Sequence, residues 1–454
     1  MKTLLPLITV YVVNHNYGKY LDQAVESILS QTFQDFELIL IDNGSTDNSK
    51  EKLKKYSSNK KIKIIYQDNI GLNSANNVAL NFARGEFIIR LDADDYFHKD
   101  ALKVLSRKLE SNKNLGLVFP DYYTVDQNGN ILNQFRRHNF EEVELFDQPA
   151  HGACSMVRKQ FLKAIGGYDE TYHCQDGWDL WIRFMRKYGI MNVNKPLFFY
   201  RQHQKNLTKS KKKILDTRAK ILRKNNKRDK TNCLAVIPIR GPSIDNSSLI
   251  FEKVGKKFVI DWTIDAALNS NRLSNIIITT SDVDVIKHLK KYYKDKINIH
   301  VRDLKFSQFG NNLDNTLTDL FKNLPQKLKN FNTLCILFTD YPLRDSKYID
   351  MCLDAMDIFE TSRVISVKKM NNVFYKHSGK TMVPIQKSKF LKKENEQVFV
   401  ESGGIYVLKR GTVFNESPSD KKIGHIEIDE KASLNINEEL ALEIAEIFLK
   451  NEKV

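Results

Sequence analysis

No apolar run in these 454 residues approaches the roughly 20 positions that a helix needs to cross a bilayer, so no helical membrane span is expected. Cysteine is scarce. Its five positions, Cys154, Cys174, Cys233, Cys335 and Cys352, are an odd number without paired spacing, which argues for reduced thiols and against a zinc site. A cleavage signal is lacking as well. Met1 to Val10 is basic and then apolar, as in a signal peptide, but no small-residue site follows and the run flows into a strand pattern. It is expected to be the first strand of a cytoplasmic protein. No reader motif of interleaved aromatic and basic residues accompanies the positive charge, so nucleic acid is not an expected partner.

A hydrophobic content of 41% and an aromatic content of 10% are ordinary for folded protein. The length exceeds what one core usually serves, so two domains are expected. The net charge of +16 is uneven: eleven Lys or Arg against two Asp put +9 on the 22 residues from Lys209 to Lys230. Ile214, Leu215, Ala219, Ile221 and Leu222 recur there at rough helical spacing, and the region 209–232 reads as a basic amphipathic helix or linker. Two uses are open for it. It binds anionic headgroups on the inner face of a membrane, as a peripheral contact, or it is a solvated connection.

In the first half, short β-branched runs alternate with helical patterns. Ile8–Val13, Phe36–Ile41, Ile62–Tyr66 and Phe87–Leu91 read as strands; helices are expected over about 21–30, from about 50, and over about 73–83. This βαβαβαβ order predicts a mostly parallel sheet covered on both faces, with the loops after the strands sharing one rim. The strand Phe87–Leu91 ends in Asp92-Ala93-Asp94-Asp95, three carboxylates in four positions. Crowded carboxylates repel and are costly to desolvate unless a cation sits among them, and a hard divalent ion is the natural candidate. The alternative is that Asp94 or Asp95 caps the following helix.

Val10 to Asn16, Ser27 to Phe33, Asp42-Asn43-Gly44-Ser45-Thr46-Asp47, Asn69-Ile70-Gly71, Gly85 to Ile88 and Leu91 to Asp95 together resemble the family 2 glycosyltransferases over about residues 5–208. That resemblance implies a GT-A fold, a nucleotide-diphosphate sugar donor, Mg2+ or Mn2+, and inversion at the anomeric carbon. It places the donor's base near His15 and Asn43, with Asp42 beside them and Asp68 on the same rim. Asp92 would face the ribose or diphosphate, and Asp94, with Asp95, would ligate the metal. The family usually has Asp where Asn43 stands, and Asn suits a uracil or a cytosine edge. It often has Arg before the Asn of its middle helix, where this chain has Asn76-Asn77.

Further on, the resemblance implies a carboxylate that deprotonates the acceptor hydroxyl in the stretch from Cys174 to Arg183. Asp176 is the first choice and Asp179 the second, with the other of the two expected to cap the helix. Tyr200-Arg201-Gln202-His203 resembles the family's closing segment, and His203 is expected to complete the metal shell or contact the diphosphate.

A second α/β pattern starts near residue 233. Leu234 to Gly241, Ile276 to Asp282, Leu334 to Phe338, Tyr341-Pro342-Leu343-Arg344, Ser402 to Val407 and the helix after Asn437 resemble the cytidylyltransferases that activate sialic-type and Kdo-type sugars as CMP conjugates. The expected fold class is therefore α/β throughout. It comprises two Rossmann-like domains, a GT-A domain over 1–208 and a cytidylyltransferase-like domain over 233–454, with a possible homodimer through the second. Arg240, Ser243 and Arg344 are its candidate pocket residues. The family's loop lysines are missing from Arg240 to Ser248, and its Asp-x-Asp is replaced by Asn435-Ile436-Asn437, which removes the charge that holds Mg2+.

The expected function is a metal-dependent, inverting, hexosyltransferase-type enzyme acting on a polysaccharide or glycolipid acceptor. The alternatives are a bifunctional enzyme that also makes a CMP-activated acid sugar from CTP, and a non-catalytic sugar-binding scaffold.

Overall fold

The computed structural model describes residues 5–136, 151–203, 210–226, 232–308, 312–370, 372–385, 398–413, 422–438 and 440–451. The chain divides into two compact units, Met1–Ile221 and Leu222–Val454.

Unit 1 contains β1 (Ile8–Asn14), α1 (Gly18–Leu29), β2 (Phe36–Asn43), α2 (Ser49–Lys54), β3 (Ile62–Gln67), α3 (Leu72–Phe82), β4 (Phe87–Asp92), β5 (Tyr96–Phe97), α4 (Ala101–Glu110), β6 (Leu115–Val125), β7 (Ile131–Phe135), β8 (Met156–Arg158), α5 (Lys159–Ala164), α6 (Asp176–Met185) and β9 (Gly189–Arg201). The strand order is β3-β2-β1-β4-β8-β6-β9-β5, with β7 on β6. The first four strands are parallel, as the alternation predicts. Beyond β4 the sheet is mixed: β8 runs antiparallel to β4 and β6, and β5 antiparallel to β9. β6 and β9 pair in parallel and run in the direction of the first four, so the sheet is mostly parallel as expected, with β8 and β5 set against their neighbours and β7 returning on β6 as a hairpin.

Side chains alternate across a strand, and that alternation assigns the helices to faces. Ile8, Val10 and Val12 pack with Leu21, Val25 and Ile28 of α1 and Leu102, Leu105 and Leu109 of α4. Tyr11 and Val13 pack on the other face with Ala75, Ala79 and Leu80 of α3 and Leu180, Trp181 and Phe184 of α6. The helix after the carboxylates begins at Ala101 with Asp100 at its N-cap position, so Asp94 and Asp95 are not its caps.

A helix α7 (Lys211–Asn225) follows. Its Leu215, Ile221 and Leu222 are buried, whereas Lys212, Lys213, Lys220 and Lys224 are exposed. The stretch is thus helical and amphipathic as expected, with its apolar side packed in protein and a basic face exposed. Lys209 and residues 227–230 of the basic stretch lie outside the described residues.

Unit 2 contains β10 (Cys233–Pro238), β11 (Lys253–Val254), β12 (Lys257–Phe258), α8 (Val259–Leu268), β13 (Asn275–Thr280), α9 (Val283–Tyr292), β14 (Asn298–Val301), α10 (Leu313–Asn323), β15 (Thr333–Leu337), α11 (Ser346–Phe359), β16 (Arg363–Met370), β17 (Tyr375–His377), β18 (Met382–Pro384), β19 (Val398–Lys409), β20 (Ile423–Glu427) and α12 (Ala441–Asn451). Its main sheet has the order β14-β13-β10-β15-β19-β16-β20, with β19 antiparallel to both neighbours.

Candidate active site

The pairing of β1 with its neighbours builds the rim. Asn14 stands opposite Asp42 on β2, and Val13 opposite Asp92 on β4, so both carboxylates flank the end of β1. Asp42 is buried and accepts from the Asn14 amide at 3.3 Å and the Ser45 N–H at 3.4 Å. His15 is exposed, and its Nδ1–H donates to the Asn43 carbonyl at 2.9 Å. The Asn43 amide is turned to the next loop: Oδ1 accepts from Gln67 at 2.8 Å and from the Ile70 N–H at 3.2 Å, and Nδ2 donates to Asn69 at 3.2 Å. Asp68 is exposed on that loop. On α3, Asn77 donates to the Tyr168 carbonyl and Glu170, while both amide atoms of Asn76 are buried without a hydrogen-bond partner.

After Asp92 the chain turns tightly, with the Asp95 N–H donating to the Asp92 carbonyl at 3.0 Å. Pairing of β5 with β9 then delivers the end of β9 to the carboxylates. The Arg201 N–H donates to Asp95 Oδ1 at 2.8 Å, and the Arg201 Nε–H donates to the Asp94 carbonyl at 2.8 Å. Two residues later, His203 Nε2 lies 2.8 Å from Asp94 Oδ2. Its ring stacks on Tyr20 at 5.6 Å between centroids and leans on Tyr17 at 5.5 Å. Asp95 is 1% exposed and its Oδ2 is buried with no hydrogen-bond partner. Burial, reinforced by Asp94 and Asp92, pushes its carboxyl well up.

Asp92 shares its strand face with Arg90, two positions earlier. Arg90 Nε lies 2.8 Å from Asp92 Oδ1, and Arg90 Nη1 lies 2.5 Å from Asp176 Oδ2. The Asp92 carboxyl is pushed up to about 6, first by burial, which Arg90 opposes and Asp94 and Asp176 reinforce. Asp176 is the first residue of α6, where the helix dipole favours a carboxylate. The expected helix cap falls on neither candidate: Gln175 occupies the N-cap position, at φ 61°. Asp179 is 2% exposed and accepts from the Nε and Nη2 of Arg183 at 2.9 and 2.6 Å.

The site thus brings together Asp92, Asp94, Asp95 and His203, and joins Asp176 to them through Arg90. Arg90 and Arg201 were not anticipated. The i, i+2 spacing of Arg90 and Asp92 was the available signal.

Unit 2 holds a separate cavity of about 410 Å³ by the ends of β10 and β15, lined by Arg240, Arg302, Asp340 and Asn437 among others. Ser243 and Arg344 do not line it. Ser243 is bonded to Asp282, and Arg344 is buried and donates to the carbonyls of Gly403, Gly404 and Phe338. Arg302 lines it instead, donating to Ser307 at 2.6 Å and the Ile239 carbonyl at 2.9 Å. Burial, with Arg240 nearby, lowers the Arg302 guanidinium to about 10.

Residues 9–166 match the family model described as Glycosyl transferase family 2. The chain is 34% identical over 209 residues to an uncharacterized glycosyltransferase, MJ1057, of Methanocaldococcus jannaschii, covering 41% of this chain and 72% of that protein. It is 28% identical over 193 residues to a chondroitin synthase of Pasteurella multocida, 42% of this chain but 20% of the synthase. A solved structure of S. aureus TarS 1–349 in complex with UDP-GlcNAc superposes with a TM-score of 0.41 at 20% identity, over 47% of this chain and 65% of that one. The chain belongs to glycosyl transferase family 2. No helix among the described residues is long and apolar enough to cross a membrane.

Proposed function

We propose that unit 1 is a metal-dependent, inverting glycosyltransferase that moves a sugar from a nucleotide-diphosphate donor to a hydroxyl of a glycan or glycolipid acceptor. The approach of Asp94 to His203 at the strand ends carries this reading. Among the described residues no three His, Cys, Asp or Glu side chains form a ligand set by themselves. Mg2+ is usually held by one or two carboxylates plus substrate phosphates, so an incomplete protein shell fits it, and so does the buried Asp95 Oδ2 that has no hydrogen-bond partner. Asp94 and His203 would hold the ion, which supplies charge neutralisation at the departing diphosphate.

The protein's own groups do the rest. His15, Asn43 and Asp68 border the place for the base, and Asp92 faces the ribose and diphosphate. Asp176 takes the proton of the acceptor hydroxyl as its oxygen bonds to the anomeric carbon. The bond from that carbon to the diphosphate oxygen breaks, and the diphosphate leaves with the electron pair. The relatives' names support a sugar-transferring reaction.

Unit 2 is proposed to be an α/β domain that binds an anionic ligand without efficient nucleotidyl transfer. Its cavity offers Arg240 and Arg302, but neutral Asn437 beside Asp340. The test of both readings uses the full chain with UDP-GlcNAc, UDP-glucose and GDP-mannose, each with and without Mn2+, and separately with CTP, Mg2+ and acid sugars. Nucleoside diphosphate released only with Mn2+, and lost in Asp94→Ala, is expected. Release that persists unchanged in Asp94→Ala overturns the metal-site assignment, and pyrophosphate released from CTP overturns the reading of unit 2.

A further inference from the structure

Arg90 is 4% exposed inside β4, while its neighbours Ile88, Ile89 and Leu91 are core residues. A cation at such a depth is costly unless paired, and an apolar residue there would serve stability at least as well. What Arg90 pairs with is specific: Asp92 on its own strand and Asp176 on α6, 86 positions away in the sequence. One guanidinium therefore touches both the donor-side carboxylate and the acceptor-side carboxylate. Guanidinium is suited to this because its nitrogens sit in a rigid fork, whereas an ammonium is a single point charge on a flexible stem.

The surroundings restrict the guanidinium further. Tyr11, opposite Arg90 on β1, donates its hydroxyl to the Tyr168 hydroxyl at 3.0 Å, and both rings are buried. On another side the backbone of 151–154 runs past the pair, tied down by the Cys154 N–H donating to the Arg90 carbonyl at 2.8 Å. A Cβ at Gly152 would stand 2.8 Å from Arg90 Nη2 and 3.2 Å from Asp176 Oδ2. A side chain there would push on the ends of both Arg90 and Asp176.

We infer that Arg90 is a positioning residue for sugar transfer, holding Asp176 at a set separation from Asp92 so that proton removal from the acceptor and departure of the diphosphate occur in one aligned geometry. The inference rests on the transferase reading above. With Oδ2 engaged by Arg90, the proton is taken at Oδ1 of Asp176.

The experiment follows nucleoside diphosphate release from UDP-GlcNAc, UDP-glucose and GDP-mannose with Mn2+. It compares the full wild-type chain, Arg90→Lys, Asp176→Asn, the double variant and Gly152→Ala. Misplacement of a reacting group by about 1 Å costs about 100-fold, so Arg90→Lys is expected to lose about that factor in kcat. Its KM for the donor should stay within about threefold, because donor contacts persist. The double variant is expected to be no slower than Asp176→Asn alone, since both changes remove one arrangement. Gly152→Ala keeps both charges and displaces them, so it should also lose kcat with KM retained; it serves as the readout if Arg90→Lys fails to fold. An active wild type with Arg90→Lys and Gly152→Ala at wild-type kcat overturns this role alone, as does a double variant slowed by the product of the single losses. A wild type that turns over none of the three donors overturns the transferase reading and this role together.

Discussion

Asp94 Oδ2 and His203 Nε2 lie 2.8 Å apart although 109 positions separate them in the chain. The imidazole stacks on Tyr20 and leans on Tyr17, two residues past the end of β9. A carboxylate facing an oriented imidazole offers an oxygen and a nitrogen to one ion.

Mn2+ should therefore stabilise the wild-type chain, by about 2.7 kcal/mol at a hundred times its dissociation constant. Asp94→Ala should lose that stabilisation entirely, and His203→Ala most of it. Differential scanning fluorimetry with and without Mn2+ measures it. An unaltered Mn2+ shift in both variants would place the ion elsewhere.

Asp92 gives a pH dependence. Its carboxyl is raised from 3.8 to about 6, so the folded form holds a proton that the unfolded chain has already released. Stability from this group is thus lost as pH rises from about 4 to about 6, amounting to about 3 kcal/mol over the whole shift. Asp354 in unit 2, also raised to about 6, has the same sign. Urea titrations of the metal-free chain at pH 4.5 and 6.5 should show a smaller difference for Asp92→Asn than for wild type. An identical difference would refute the assignment.

The first strands were legible because β1, β2 and β4 are buried runs of Val, Ile and Leu bounded by polar turns. The start of α1 at Gly18, ahead of the expected Leu21, was not. The Gly18 N–H is satisfied by Asp47 Oδ2 at 2.9 Å, a partner 29 positions away. The carboxylate cluster was legible because its charges are adjacent in the chain. Arg90 was read only as part of an apolar run, since its second partner comes from α6 and contact over 86 positions leaves no local pattern. Arg201 was visible in the closing segment, but its contacts to the backbone of 94, 126 and 127 depend on how β9 pairs. The long strands β6 and β9 alternate poorly with exposure and went unread.

In unit 2, Arg272 is wholly buried, 3.0 Å from Asp354 Oδ1 and 2.7 Å from Asp357 Oδ2, with the Asn226 amide donating to both carboxylates. Breaking such a pair leaves a buried charge, so Asp354→Ala should destabilise by about 3–5 kcal/mol. Replacing the whole cluster, Arg272→Met with Asp354→Leu and Asp357→Leu, should cost less than the single change. Chemical denaturation of wild type, Asp354→Ala and the combined variant decides this, and a combined variant less stable than Asp354→Ala would contradict it.

Gly44 follows Asn43 at the end of β2 with φ +73°, a region that costs a residue with a Cβ about 1 kcal/mol or more. The added Cβ would also stand 2.6 Å from the Asn69 backbone nitrogen, and backbone cannot yield as a flexible side chain does. The loop it would push is the one held by Asn43 through Ile70 and Asn69, beside His15. Gly44→Ala should therefore act on the donor's base rather than on proton transfer. Its expected signature is a donor KM raised about tenfold with kcat within about threefold, the pattern of lost uniform binding. That is the reverse of the Arg90→Lys signature, so the two variants separate the base end of the site from its reacting end. A fall in kcat at unchanged KM in Gly44→Ala would show that the loop at 69–71 does not border the donor base.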